Sequence, residues 1–129
     1  MNILKSIGAV LAGMIFIVAT HTITDKILES AGIFPPPEHG LHITWMLVLA
    51  LVYRVLFQVA GSFITAWLAP SRPFLHGMII GVIGLILGSV AAVVAIPMGL
   101  SPAWYPIALA VSAIPSAWLG ATLYASFRP

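Results

Sequence analysis

The stretch that decides the fold is Pro73 to Phe127, PFLHGMIIGVIGLILGSVAAVVAIPMGLSPAWYPIALAVSAIPSAWLGATLYASF, 55 residues without one Asp, Glu, Lys or Arg. A helix of ~20 apolar residues crosses a ~30 Å hydrocarbon core, so the run is too long for a single span. Pro97-Met98-Gly99-Leu100-Ser101-Pro102 interrupts it with two prolines, a glycine and a serine, all turn formers. Two spans follow, Gly77 to Ile96 and Ala103 to Phe127.

Working outward, the next span is Ile43 to Ala69, between His42 and Pro70, with Arg54 as its single charge. Lys5 and Asp25 bracket the first, Ser6 to Thr24. That segment opens like a signal peptide, but no small-x-small cleavage site follows, so it reads as a span. Closed barrels are the other permitted spanning form, and nothing here alternates with period two over ten residues. The expectation is an all-α, integral membrane four-helix up-down bundle forming a single transmembrane domain over 1–129. Its spans are about 6–24, 43–69, 77–96 and 103–127.

Composition supports this. Apolar residues make up 61% of the 129 and charged residues 6%, against ~45–50% and ~25% in soluble domains. Mean hydropathy is +1.14. Five Lys/Arg and three Asp/Glu are too few for a basic nucleic-acid surface, so no nucleic-acid partner is expected. The absence of cysteine excludes disulfides, thiolate metal sites and thiol nucleophiles. The bilayer is the first partner.

Lys5, Arg72 and Arg128 fall on one side of a four-span chain; Lys26 and all three acids, Asp25, Glu29 and Glu38, fall on the other. The positive-inside rule then makes both termini cytoplasmic, and the location a cell inner membrane crossed several times. Trp45, Trp104 and Tyr105 are expected in an outer aromatic belt, and Trp67, Phe74, Tyr124 and Phe127 in an inner one.

Gly77, Gly81, Gly84, Gly88, Ala91 and Ala95 recur at spacings of 4, 3, 4, 3 and 4, a seam of small residues that lets another helix approach closely. Ala110, Ala113, Ala117 and Gly120 offer a complementary set in the last span. An antiparallel hairpin within one subunit is the expected use, and a subunit–subunit seam the alternative. Pro115 frees the carbonyl of Val111, which Ser112 or Ser116 is placed to satisfy.

Arg54 is the anomaly. Mid-span it costs at least ~2.5–3.5 kcal/mol, and it does not shed its proton at working pH. Gln58, Gly61 and Thr65 continue a polar stripe from it. Counted inward from the intervening loop, Asp25 lies on the order of 5–8 Å shallower, within an arginine's reach. An intramembrane Arg54–Asp25 pair is expected; an anion or headgroup contact on a transport path is the alternative. His21, Asp25, Glu38, His39 and His42 gather at one membrane face, but in no strong metal-ligand spacing, so they are only weak candidates and no metal site is assigned. No nucleophile elbow, phosphate loop or haem-type histidine pair occurs, so neither a cofactor nor an enzyme is expected.

Tyr53-Arg54, Thr65 to Gly77 (TAWLAPSRPFLHG), Ser101 to Leu109 (SPAWYPIAL) and Pro115 to Gly120 (PSAWLG) resemble a group of small bacterial four-span hypothetical membrane proteins. The resemblance implies architecture and no activity. Small multidrug exporters and fluoride channels share the size, but this chain has neither the exporters' first-span glutamate nor the channels' phenylalanine-rich box. Two function classes remain. One is a non-catalytic helix-packing, assembly or accessory subunit in a homo-oligomer or larger membrane complex. The other is a homo-oligomeric small-solute or ion transporter or channel, with Arg54, Gln58 and Thr65 lining the path.

Overall fold

The computed structural model describes residues 3–127, except the side chain of Glu38. Among them the chain forms four long helices and no strand: α1 Ile3–Ser30, α2 Thr44–Leu68, α3 Pro73–Met98 and α4 Trp104–Phe127. Each is long and apolar enough to cross a membrane, which makes the chain a multi-pass membrane protein by composition. Arg128 lies outside the described residues.

The helices overrun the apolar windows that announce them. Lys5, Asp25, Lys26 and Glu29 all sit inside α1, whose 28 residues run ~42 Å, further than the hydrocarbon is thick. Charge bounds a span, not a helix. Pro73 is at the start of α3, where its missing N–H costs nothing. At the other end Pro97 lies in the last turn, and the helix stops at Gly99, left-handed at φ 66°, whose N–H bonds Ile96 O at 3.1 Å.

α2 is the centre of the bundle, with α1, α3 and α4 all packed on it. The α3–α4 hairpin forms through the small-residue seam. A β-carbon on Gly77 would stand 2.7 Å from Ala121 Cβ, on Gly81 2.7 Å from Ala117 Cβ, on Gly84 3.0 Å from Ala113 Cβ and on Gly88 3.2 Å from Ala110 Cβ. The separations at Gly77 and Gly81 are too short for two carbons, and those at Gly84 and Gly88 are tight, so the glycines let the two backbones approach closely. The four glycines of the seam meet α4 of the same chain, the antiparallel hairpin expected of them. Gly120 instead meets α2, where its added β-carbon would lie 2.9 Å from Ser62 Cβ. Beyond the glycines, Ala91 and Ala95 line a cavity together with Pro106 and Leu109 of α4.

α1 packs through Ala9, Gly13 and Ile17, its buried face. A β-carbon on Gly13 would come within 2.8 Å of Gly61 O. Thr65, fully buried, donates to Ala9 O at 2.9 Å. Ser62 Oγ lies 2.7 Å from Ala117 O and 3.1 Å from Gly77 O, so one hydroxyl from α2 serves α3 and α4. In α4, Ser116 donates to Ser112 O at 2.6 Å and Ser112 to Leu109 O at 2.9 Å. Neither hydroxyl goes to the Val111 carbonyl that Pro115 frees, since each reaches a carbonyl of its own preceding turn.

The two ends are clasped differently. At the proximal end, where α1 begins, His76 is 6% exposed and places Nε2 2.9 Å from Ser6 Oγ and Nδ1 2.9 Å from Arg72 O. At the distal end the 31–43 connection, with a 3₁₀ turn at Pro37–His39, folds onto the α3–α4 turn. Leu41 N–H donates to Leu100 O at 2.6 Å, and His42 Nε2 lies 2.8 Å from Gly99 O. α1 and α3 share a smaller contact than either makes with α2, and approach each other at Gly13 and Ile80.

Candidate functional site

His21 and Asp25 stand one helical turn apart on α1, facing Tyr53, Arg54 and Gln58 on α2. Arg54 Nη2 donates to Asp25 Oδ2 at 2.6 Å. The other carboxylate oxygen, Oδ1, accepts from the Tyr53 hydroxyl. Both acid oxygens are thus taken by α2, in a charge-assisted arrangement that is stronger than neutral hydrogen bonds. The Arg54 guanidinium also lies 5.8 Å from the Tyr53 ring centroid, within cation–π range.

Tyr53 enters the sequence reading only in the resemblance and is given no role there, although a phenol in an apolar span is a signal: its hydroxyl needs a partner. Tyr105 also differs from expectation. It turns inward beside Arg54 and lines the same cavity, instead of joining an aromatic belt with the exposed Trp45 and Trp104.

The ion pair stands between two spaces. The distal vestibule, ≈ 280 Å³, is lined by Asp25, Glu29, Arg54, Ser101 and Tyr105 and roofed by Phe34, Pro35, Pro37, Gly40 and Leu41. The second cavity, ≈ 270 Å³, lies deeper and is lined from all four helices. Its polar lining is His21, Arg54, Gln58 and Ser112; the rest is apolar, including Ile17, Val18, Ile80 and Leu87. Arg54, Ala91 and Leu109 border both spaces. Arg54 is therefore a septum as well as an ion-pair partner.

The expected polar stripe divides. Gln58 faces the deeper cavity, with its amide nitrogen 3.5 Å from Ile80 O. Gly84 makes room for it: a β-carbon there would stand 2.8 Å from Gln58 Nε2. Thr65 borders neither cavity. It is spent on Ala9 O, because a hydroxyl at a close helix crossing finds a backbone acceptor first.

The four described metal candidates do not assemble. His21 and Asp25 turn to α2, His42 bonds Gly99 O, and His39 is exposed on the 3₁₀ turn. The Glu38 side chain lies outside the described residues. Among the described residues no group of three or more His, Asp or Glu is placed to hold an ion.

Two buried nitrogens at this site have no hydrogen-bond partner, His21 Nε2 and Arg54 Nε. Buried polar atoms are nearly always paired, with protein groups or with ordered water.

No family model matches the chain, and no curated protein or solved structure matches it either. The resemblance to small bacterial four-span proteins therefore has no family behind it, and four helices of membrane-spanning length and apolarity are what stands.

Proposed function

We propose that this chain is a non-catalytic membrane protein of a bacterial inner membrane, acting as a helix-packing, assembly or accessory subunit in a homo-oligomer or larger complex. One observation carries the reading: Arg54 and Tyr53 together take both oxygens of Asp25, which locks α1 to α2 inside the bilayer. Removing one partner of such a pair strands a charge in low dielectric, so the pair fixes which helices meet. Both termini face the cytoplasm. Lys5 and Arg72 lie at the proximal end and the acids Asp25 and Glu29 at the distal end, as the positive-inside rule requires. Because the glycine seam is used within the chain, a second copy or partner docks on other faces, through the exposed apolar side chains of the bundle.

A second reading, a homo-oligomeric small-solute or ion transporter, is favoured by Arg54 bordering both cavities. Four helices enclose little space, so such a path requires at least a dimer. Thr65 drops out of it. Arg54→Gln separates the readings when the purified protein is reconstituted in liposomes. A structural lock gives a destabilised protein and no solute flux to lose. A stable variant that has lost flux present in the parent overturns the accessory reading.

A further inference from the structure

We propose that the distal vestibule binds an organic monocation, one ammonium group on a compact apolar body. The inference goes beyond the accessory reading and leaves the Arg54–Asp25 lock as it stands, because it turns on Glu29.

Charge balance comes first. Among the described residues, three charged side chains line the vestibule: Asp25, Glu29 and Arg54. Asp25 gives both oxygens to Arg54 and Tyr53, and with Arg54 it forms a neutral pair. The Glu29 carboxylate has no ion pair or hydrogen bond among the described residues. The wall therefore carries one unbalanced negative charge, a helical turn outward from Asp25, ~6 Å along α1. An anion meets like charge there, and Arg54 is already neutralised. A neutral occupant would strip water from the carboxylate and give nothing back. A divalent metal finds too few ligands, since no three His, Asp or Glu converge among the described residues. A monocation restores neutrality.

The rest of the wall says what carries the charge. Phe34 and Tyr105 contribute aromatic rings, and Ala95, Pro106 and Leu109 contribute aliphatic carbon. A hydrated inorganic ion gains nothing from such a surface. An ammonium on a hydrocarbon body buries that body and is attracted by the rings.

Size and access agree. The space of ≈ 280 Å³ equals roughly nine waters of liquid volume, which suits a body of about nine or ten non-hydrogen atoms. Its roof is held in place by Leu41 N–H on Leu100 O and by His42 on Gly99 O, so the vestibule is formed before anything enters. Glu29 lies in the last turn of α1, beyond the apolar window, and its side chain is half-buried. The ligand comes from water on the distal side, where Asp25 and Glu29 favour a cation.

The test uses the full chain in phosphatidylcholine nanodiscs, with binding followed by calorimetry against empty nanodiscs and by the shift in melting temperature. The probes are 2-phenylethylammonium, its neutral analogue 2-phenylethanol, the anion phenylacetate, and sodium. We expect the ammonium to bind saturably and to raise the melting temperature, with the alcohol and the anion at least about tenfold weaker. Glu29→Gln removes the charge without breaking a contact, so the empty protein should melt as the parent does. The same variant should weaken the ammonium about tenfold, as loss of a charge-assisted hydrogen bond implies. Ala95→Phe should fill the vestibule and abolish binding, whereas Lys26→Gln, on the same turn of α1 but outside the lining, should not weaken it. Affinity unchanged by Glu29→Gln, equal affinity for the alcohol, displacement by an equal concentration of sodium, or binding retained in Ala95→Phe would each overturn the proposal. Displacement by sodium would mean that the carboxylate holds any counter-ion, and retention in Ala95→Phe that the cation sits outside the vestibule.

Discussion

Deleting either side of the Arg54–Asp25 pair should destabilise the protein, and the two deletions should differ. The contact is 2.6 Å, and the side chains are 25% and 28% exposed. With group centres ~4 Å apart, the attraction is ~4 kcal/mol at an effective dielectric of 20. Desolvation and partial screening offset much of that, leaving a net coupling between the ~0–1 kcal/mol of exposed pairs and the ~3–5 kcal/mol cost of breaking buried ones. We expect about 2 kcal/mol. Asp25→Ala should cost more, ~3 kcal/mol, because the guanidinium cannot lose its proton and stays charged and unpaired. Arg54→Ala should cost ~2 kcal/mol, since the stranded carboxyl keeps the Tyr53 hydroxyl and can take up a proton. The double variant should recover much of the smaller loss. Reversible unfolding of all four proteins in one detergent measures the cycle. A coupling below ~0.5 kcal/mol, or Arg54→Ala costing more than Asp25→Ala, would refute this reasoning.

Other consequences follow from packing and topology. Gly81→Leu should cost at least ~3 kcal/mol, because even its β-carbon would stand 2.7 Å from Ala117 Cβ, whereas Val82→Leu, 49% exposed, should stay within about ±0.5 kcal/mol; equal melting temperatures would mean that the seam tolerates bulk. Ser62→Ala should cost ~1 kcal/mol despite removing one oxygen, since that hydroxyl serves both Ala117 O and Gly77 O; denaturant midpoints measure it. Single cysteines at His39 and Ser71 should react with impermeant reagents from opposite faces of the membrane, and labelling from the same face would end the four-span topology.

The parts of this fold that were readable from sequence are those set by one helix at a time. The spacing of Gly77, Gly81, Gly84 and Gly88 names the packed face of α3 because small residues must meet something close. The Arg54–Asp25 pairing followed from depth alone, as a hairpin of known loop position fixes how far each residue lies from the end. What was not readable depends on how helices tilt. Ala91 and Ala95 keep the seam's period, yet nothing in the period says that they line a cavity. Tyr53 and Arg54 are neighbours on a helix and point ~100° apart, so sequence offers no reason for both to reach one carboxylate. The deeper cavity is the extreme case: residues of all four helices line it, and no single segment encodes how the four sit together.

Arg54→Lys separates the charge of Arg54 from the shape that delivers it. Arg54 Nη2 holds Asp25 while the guanidinium also lies 5.8 Å from the Tyr53 ring centroid. A lysine ammonium is a compact point charge on a flexible stem. It can follow Asp25 and keep the pair, but it presents no planar face to the ring. Arg54→Lys should therefore retain most of the stability that Arg54→Ala loses, with a remaining deficit of ~1 kcal/mol for the lost fork geometry. Melting temperatures of the parent, Arg54→Lys and Arg54→Ala in one detergent measure it. A loss in Arg54→Lys as large as that in Arg54→Ala would mean that the planar guanidinium, and not its charge, holds α1 to α2.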